Sequence, residues 1–260
     1  MYGGQWNRGV VWGAWMDYRT YRLGRMETIK YGLAAFGITA MVALCFYNSP
    51  LVMLFFPLVA FWYLREKKEE LAKARRSALK LQFKEAVQAM SAALTAGYSA
   101  ENALREAQKD LMLYFPDDAD MIQELAAMQR KLDTNLTIEE AVRDFADRSG
   151  IEEAETFSEI FAVGKRSGGD LIAIMKDTAG TISQTVETER QVESVLASKK
   201  YEQKIMNVIP FGMVLYLRIG CPGFMDPVYG NLTGIAAMTA CLGVYLLARY
   251  MGRRMLEIEV

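Results

Sequence analysis

The sequence predicts an all-α fold: a helical membrane protein with two transmembrane hairpins flanking a cytoplasmic six-helix bundle. Four stretches, residues 31–47, 51–64, 205–219 and 232–250, are nearly free of charge. The stretch between the second and third, residues 65–204, is rich in charge and shows no alternating strand pattern. Breaker-rich turns divide each pair of apolar stretches. The apolar fraction of 52% over 260 residues is slightly above the globular average, and the surplus is concentrated in those four stretches.

Residues 1–30 place Trp6, Trp12, Trp15, Tyr18 and Tyr21 among Arg8, Arg19, Arg22, Arg25 and Lys30. Aromatics mixed with cations suit the headgroup zone, so an amphipathic interfacial segment is expected there. The charged region is too long for a signal peptide, and a second apolar run follows the first too soon. Val42-Ala43-Leu44-Cys45 superficially resembles a lipoprotein cleavage site, but Leu44 is too large to precede the cysteine.

Residues 31–64 form the first expected hairpin, turned at Asn48-Ser49-Pro50. A bilayer core of about 30 Å needs about 20 helical residues. The run 51–64 is short of that unless the helix extends into Arg65, Lys67 and Lys68 with snorkelling side chains; a re-entrant segment is the rival reading.

Residues 65–204 are expected to be the soluble bundle, with Pro116 their only proline. Leu79, Phe83, Val87, Met90 and Leu94 recur at intervals of three and four, which places one apolar stripe on a long helix over 72–96. At the following corner Gly97 can take the left-handed C-cap and Ser99 can cap the next helix, which carries Ala103 and Leu104. The corner recurs 38 residues later: Asn135 replaces Gly97, Thr137 replaces Ser99, and Glu140 completes a capping box. Two such matches suggest a duplicated helical hairpin. Helices near 118–132, 138–148 and 151–165 then precede a long one from Asp170, whose rigid course Pro210 is expected to interrupt.

Residues 205–250 form the second expected hairpin, divided by the glycine- and proline-rich stretch 220–227, and residues 251–260 a tail. The amino end, the middle insert and Arg249, Arg253 and Arg254 are basic, whereas the hairpin tips hold only Arg218. By the positive-inside rule both termini and the bundle are cytoplasmic. Charge is also segregated within the bundle: residues 65–84 hold eight cations against three acids, and residues 110–159 fourteen acids against four cations. The first block can meet anionic headgroups, and the second forms an acidic cap distal to them.

Candidate chemistry is sparse. The chain has no histidine, which removes the commonest general base and transition-metal ligand. Cys45, Cys221 and Cys241 lie in or beside apolar runs and lack metal-site spacing, so they are read as packing in the membrane. Gly164-Lys165-Arg166-Ser167-Gly168-Gly169-Asp170 is not a phosphate loop: no Ser or Thr directly follows its lysine, no strand precedes it, and Asp170 would repel phosphate. It reads instead as a helix break. Asp117, Asp118, Asp120, Glu124, Glu139, Glu152 and Glu153 offer two readings, a docking surface for a basic partner or a plain solvated face. No cofactor, metal, nucleic acid or catalytic residue is implied.

Three features resemble the type II secretion system F domain, found in inner-membrane platform proteins of type II secretion, type IV pili and tight-adherence (Flp) pili. They are the corner at Gly97, Ser99, Ala103 and Leu104, the second corner from Thr137 to Phe145, and Gly164-x-x-Ser167-Gly168-Gly169-Asp170-Leu171 leading into a long helix and Pro210. Asn231-Leu232-x-x-Gly234 fits the start of the last span. A single such domain between two hairpins is similar to the tight-adherence branch. The resemblance implies a non-catalytic scaffold in the plasma membrane whose soluble domain contacts a cytoplasmic secretion ATPase. It also implies an oligomer, a second and similar platform subunit as partner, and a pilin or pseudopilin moved out of the lipid bilayer. The alternative class is a membrane-anchored helical adaptor or a small transporter unrelated to secretion.

Overall fold

The computed structural model describes residues 18, 23–47, 53–54, 56–166, 171–221 and 231–256, and every longer regular element among them is helical. The elements are α1 (Arg25–Val42), a π-helical turn (Ala43–Tyr47), α2 (Phe56–Thr95), α3 (Ala100–Tyr114), α4 (Asp120–Asp133), α5 (Ile138–Ser149), α6 (Glu152–Arg166), α7 (Leu171–Gly220) and α8 (Leu232–Leu256). The all-α expectation holds. The chain divides into two compact units, one of Met1–Arg22 with Lys68–Thr188, the other of Leu23–Lys67 with Glu189–Val260.

The first unit is a bundle of the C-terminal half of α2, the whole of α3 to α6, and the start of α7. The stripe Leu79, Phe83, Val87, Met90 and Leu94 is buried along its whole length. Around it lie Leu104, Leu111, Leu125, Phe145, Phe157, Phe161, Met175 and Ile182, each from the apolar face of its own helix. Phe83 sits at the centre, with ring centroids 5.7 Å from Phe145 and 5.6 Å from Phe157. Close approach of α6 and α7 uses Gly164, where a Cβ would lie 3.2 Å from Leu171 Cδ1.

Both corners close by the same backbone bonds. At the first, Gly97 N–H donates to Leu94 O at 3.0 Å and Tyr98 N–H to Ala93 O at 3.1 Å. At the second, Asn135 N–H donates to Leu132 O at 3.0 Å and Leu136 N–H to Lys131 O at 3.2 Å. These paired reversed bonds are the Schellman arrangement, which needs a left-handed residue at its centre. Gly97 has φ 90° and Asn135 φ 65°. Two residues on, Ser99 Oγ accepts from Asn102 N–H and Thr137 Oγ1 from Glu140 N–H, each at 3.3 Å. Glu140 Oε2 in turn accepts from Thr137 N–H at 3.0 Å, a reciprocal step that the first corner lacks. The likeness continues into the helices, where buried Ala100, Ala103, Leu104 and Ala107 of α3 are matched by Ile138, Ala141, Val142 and Phe145 of α5.

Nothing lies within 4 Å of a Cβ added at Gly97, so its substitution tests the backbone alone. Gly97→Ala is expected to destabilise the bundle by about 1–2 kcal/mol, the cost of a side chain in the left-handed region. Gly97→Asn, which copies the second corner, should cost less. Thermal unfolding of the three proteins checks the ranking, and equal stability of the alanine variant would show that the corner relaxes to another turn.

Helix α4 begins without a side-chain cap of its own at Ala119. Gln82 of α2 supplies the missing acceptor, its Oε1 taking the Met121 N–H at 3.0 Å. Sequence proximity could not reveal this cap, because donor and acceptor lie on different helices.

In the second unit the π-helical turn is held by side chains of α7 and α8. Phe46 packs edge-on against Phe211 at 5.8 Å, and Phe211 against Tyr245 at 5.3 Å. The Tyr245 hydroxyl donates to Asn207 O at 3.2 Å, and Tyr47 and Thr239 share a hydroxyl–hydroxyl bond of 3.0 Å. Arg218 donates to Leu44 O. Among the described residues one helical segment, Thr233–Gly252, is long and apolar enough to cross a membrane, and 6% of it is buried.

Pro210 corrects an expectation. It lies inside α7, which continues to Gly220 without a break. The ring removes one N–H from the ladder, but its fixed φ is a helical value, and the flanking turns keep their own bonds. The hairpin turn at Asn48-Ser49-Pro50, residues 222–227 of the second loop, and Gly168, Gly169 and Asp170 lie outside the described residues.

Candidate functional site: two linked corners and an ion-pair network

The two corners and the last turn of α6 are far apart in sequence but meet at one end of the bundle. Lys165, in the last turn of α6, donates to Glu101 Oε1 at 3.3 Å and to Glu139 Oε2 at 3.2 Å. Glu101 and Glu139 are the equivalent second residues of α3 and α5, one in each copy of the corner. A single ammonium thereby ties both corners to the last turn of α6, where the segment that begins Gly164-Lys165 starts. Glu101 is held below the usual carboxylate range, first by a backbone N–H at the start of its own helix and then by Lys165. Glu140 is held low by the backbone and hydroxyl of Thr137.

The second cluster lies where α4 crosses α5. Asp120 and Glu124 are one turn apart on α4, and Asp144 and Arg148 one turn apart on α5, so each helix presents a pair on one face. The Arg148 guanidinium grips Glu124 with two bonds, Nη1 to Oε1 at 3.0 Å and Nη2 to Oε2 at 2.7 Å. Its third edge, Nε, reaches Asp144 Oδ2 at 2.9 Å, and Lys131 also donates to Asp144. Glu124 is buried, only 4% exposed. Arg75 of α2 holds Asp120 in the same forked manner, at 2.9 and 2.6 Å.

Tyr18 enters this network from outside the helices. Its side chain is 2% exposed, its hydroxyl donates to Glu124 Oε1 at 2.9 Å, and the Arg75 guanidinium lies 4.8 Å over its ring. The Tyr18 N–H donates to Arg148 O at 3.2 Å. The interfacial role expected for this aromatic is therefore replaced by burial in the bundle. Burial first, then the carboxylates of Glu124 and Asp120, push its phenol well above the ordinary range, so it is held neutral. Burial would lower Arg148, but Glu124 and Asp144 outweigh it and hold the guanidinium charged. At Asp144 the bonds from Lys131 and Arg148 overcome burial and keep the carboxyl below its usual range.

The structure sorts the seven candidate docking acids. Glu124 and Asp120 belong to the buried network, Glu139 is joined to Lys165, and Glu153 Oε1 is 2.7 Å from Lys80 Nζ. These four are committed to internal pairs, because each lies where its helix meets another. Asp117, Asp118 and Glu152 remain exposed. Glu152 borders a shallow groove with Arg76, Gly150 and Glu155. Asp117 and Asp118 follow the end of α3, where Leu113 and Tyr114 are 76% and 80% exposed. Among the described residues no group of three or more Cys, Asp or Glu is placed to hold a metal ion.

Sequence reasoning missed Tyr18 and Arg148. For Arg148 a signal existed: it falls three residues after buried Phe145 and seven after buried Ala141, the spacing of a core-facing position. Tyr18 has no such signal, because its socket is assembled from three other helices. No family model, curated protein or solved structure matches the chain.

Proposed function

We propose that the chain is a non-catalytic platform protein of a type II secretion or tight-adherence pilus machine, seated in the plasma membrane by two helical hairpins with the bundle in the cytoplasm. In this reading the bundle binds a secretion ATPase and passes its movement along α7 to the membrane part, where pilin subunits leave the bilayer. A second platform subunit would complete the assembly.

One observation carries the reading. Helix α7 is continuous from Leu171 to Gly220: its first part supplies Met175, Ala179, Ile182 and Val186 to the bundle core, and its last part displays Ile205, Met206, Val208, Met213 and Ile219 outward. A helix that is core at one end and openly apolar at the other suits an element shared between water and lipid. The hairpin reading draws support from Leu33, Leu58, Phe61, Met206, Ile219 and Val244, each between 69 and 73% exposed. The exposed Leu113 and Tyr114, followed by Asp117 and Asp118, fit a partner surface that is basic and apolar.

Inserting a flexible glycine-serine linker after Lys199 interrupts α7 beyond its core-facing part. Pilus assembly in the native host is expected to be lost while the protein still inserts in the membrane. Normal piliation with the linker in place would reject transmission through this helix.

A further inference from the structure

We propose that the π-helical turn of residues 43–47 and the proline step of α7 form one coupled bending element, joined through the rings of Phe46, Phe211 and Tyr245. A π-helical turn and a proline are both recurrent sites of helix bending, because each interrupts the regular ladder. Here both lie in the second unit, and the turn packs against the residue that follows Pro210. Phe46, 6% exposed, meets Phe211 at 5.8 Å with the rings 70° apart. Tyr245 of α8 meets the same Phe211 at 5.3 Å and 87°. Because proline has no N–H, the carbonyl of Met206 loses its ladder donor, and the next carbonyl, Asn207 O, takes the Tyr245 hydroxyl at 3.2 Å. Tyr245 therefore straddles the proline, with its ring on the residue after it and its hydroxyl bonded before it. It splints the one step of α7 that cannot bond for itself.

The turn is gripped at two further points. Arg218 of α7 donates to Leu44 O. The Thr239 hydroxyl spends its proton on Ile235 O at 2.7 Å, so Tyr47 donates to Thr239 Oγ1 at 3.0 Å. These contacts belong to the π register. In an α-helical register each residue is turned by about 100°, more than in the wider π turn, so Phe46 and Tyr47 could not both keep their partners. Phe211 and Arg218 both lie beyond Pro210, so a bend at the proline carries them away from the turn together. Loosening either site thus loosens the other. Movement passed along α7 would find its bending point here, but the coupling itself needs no ATPase or pilin.

Amide hydrogen exchange of the full-length protein in detergent, followed by mass spectrometry, tests the coupling. Phe46→Leu keeps most of the volume, so the variant folds, but it removes the ring contact. The amides of residues 211–214, whose ladder bonds span the proline, are expected to exchange about two- to tenfold faster, the range that one edge-to-face ring pair supplies. Coupling is reciprocal. Pro210→Ala, which restores the missing N–H, is therefore expected to slow exchange of residues 43–47 by a similar factor, although they belong to another segment. In the Pro210→Ala background Phe46→Leu should no longer speed residues 211–214, because the step is then bonded without the splint. Tyr245→Phe keeps the ring and loses the bond to Asn207 O, and it should speed residues 211–214 in the wild-type background. Changes confined to the segment that carries each substitution would overturn the coupling. So would a Phe46→Leu effect of full size in the Pro210→Ala protein.

Discussion

Arg148→Met is expected to destabilise the bundle by about 3–5 kcal/mol, the cost of leaving one member of a buried ion pair without its counter-charge. Wild-type Glu124 receives two guanidinium bonds and the Tyr18 hydroxyl. With methionine at 148 only the tyrosine remains, and a carboxylate that is 4% exposed has no access to water in exchange. Asp144 suffers less, because Lys131 still reaches it and its side chain is 35% exposed. Urea unfolding followed by helical circular dichroism measures the loss, and a change below about 1 kcal/mol would mean that Glu124 hydrates at little cost. The compensating variant is informative. Replacing Glu124 by leucine and Tyr18 by phenylalanine together with Arg148→Met removes the charges and the donor at once, and should recover most of the stability. The pair would then be a device for fixing where α4 meets α5, rather than a net source of stability.

Helix periodicity made the bundle legible in the sequence, and the reason is local. The stripe from Leu79 to Leu94 and the two corners are encoded within a few residues of where they act, so spacing and cap chemistry suffice. The docking acids were only partly legible. Composition shows that Asp117 and Glu124 are both acidic, but only the spacing of Met121, Leu125 and Met128 shows that Glu124 faces inward. Local grounds mark Pro210 as a break, yet the helix continues, because one missing bond does not undo a ladder bonded on both sides. The Tyr18 contact was invisible for a different reason. An aromatic among arginines is equally suited to a headgroup layer and to an ion-paired socket, and the choice is made by side chains from α2, α4 and α5 that only the tertiary fold assembles.

Phe83→Ala should cost about 3–5 kcal/mol, the range for deleting a buried phenylalanine. Phe83 is 3% exposed, and its ring is met by Phe145 of α5 and Phe157 of α6, while Phe157 stacks on Phe161 at 5.8 Å. Removing it therefore opens the point at which three helices share one cluster. Phe83→Leu keeps most of the volume and should cost under about 1.5 kcal/mol. The contrast separates cavity from geometry: if leucine is as damaging as alanine, edge-to-face ring contacts rather than volume hold α2 against α5 and α6. The distinction bears on Tyr18 as well, since Arg75 lies on the same helix as Phe83 and its guanidinium can stack on Tyr18 only while α2 keeps its place. Phe83→Ala is accordingly expected to weaken the Tyr18 contact together with the core, whereas Phe83→Leu should leave that contact intact, and unfolding curves of both variants with and without Tyr18→Ala report whether the two losses are coupled.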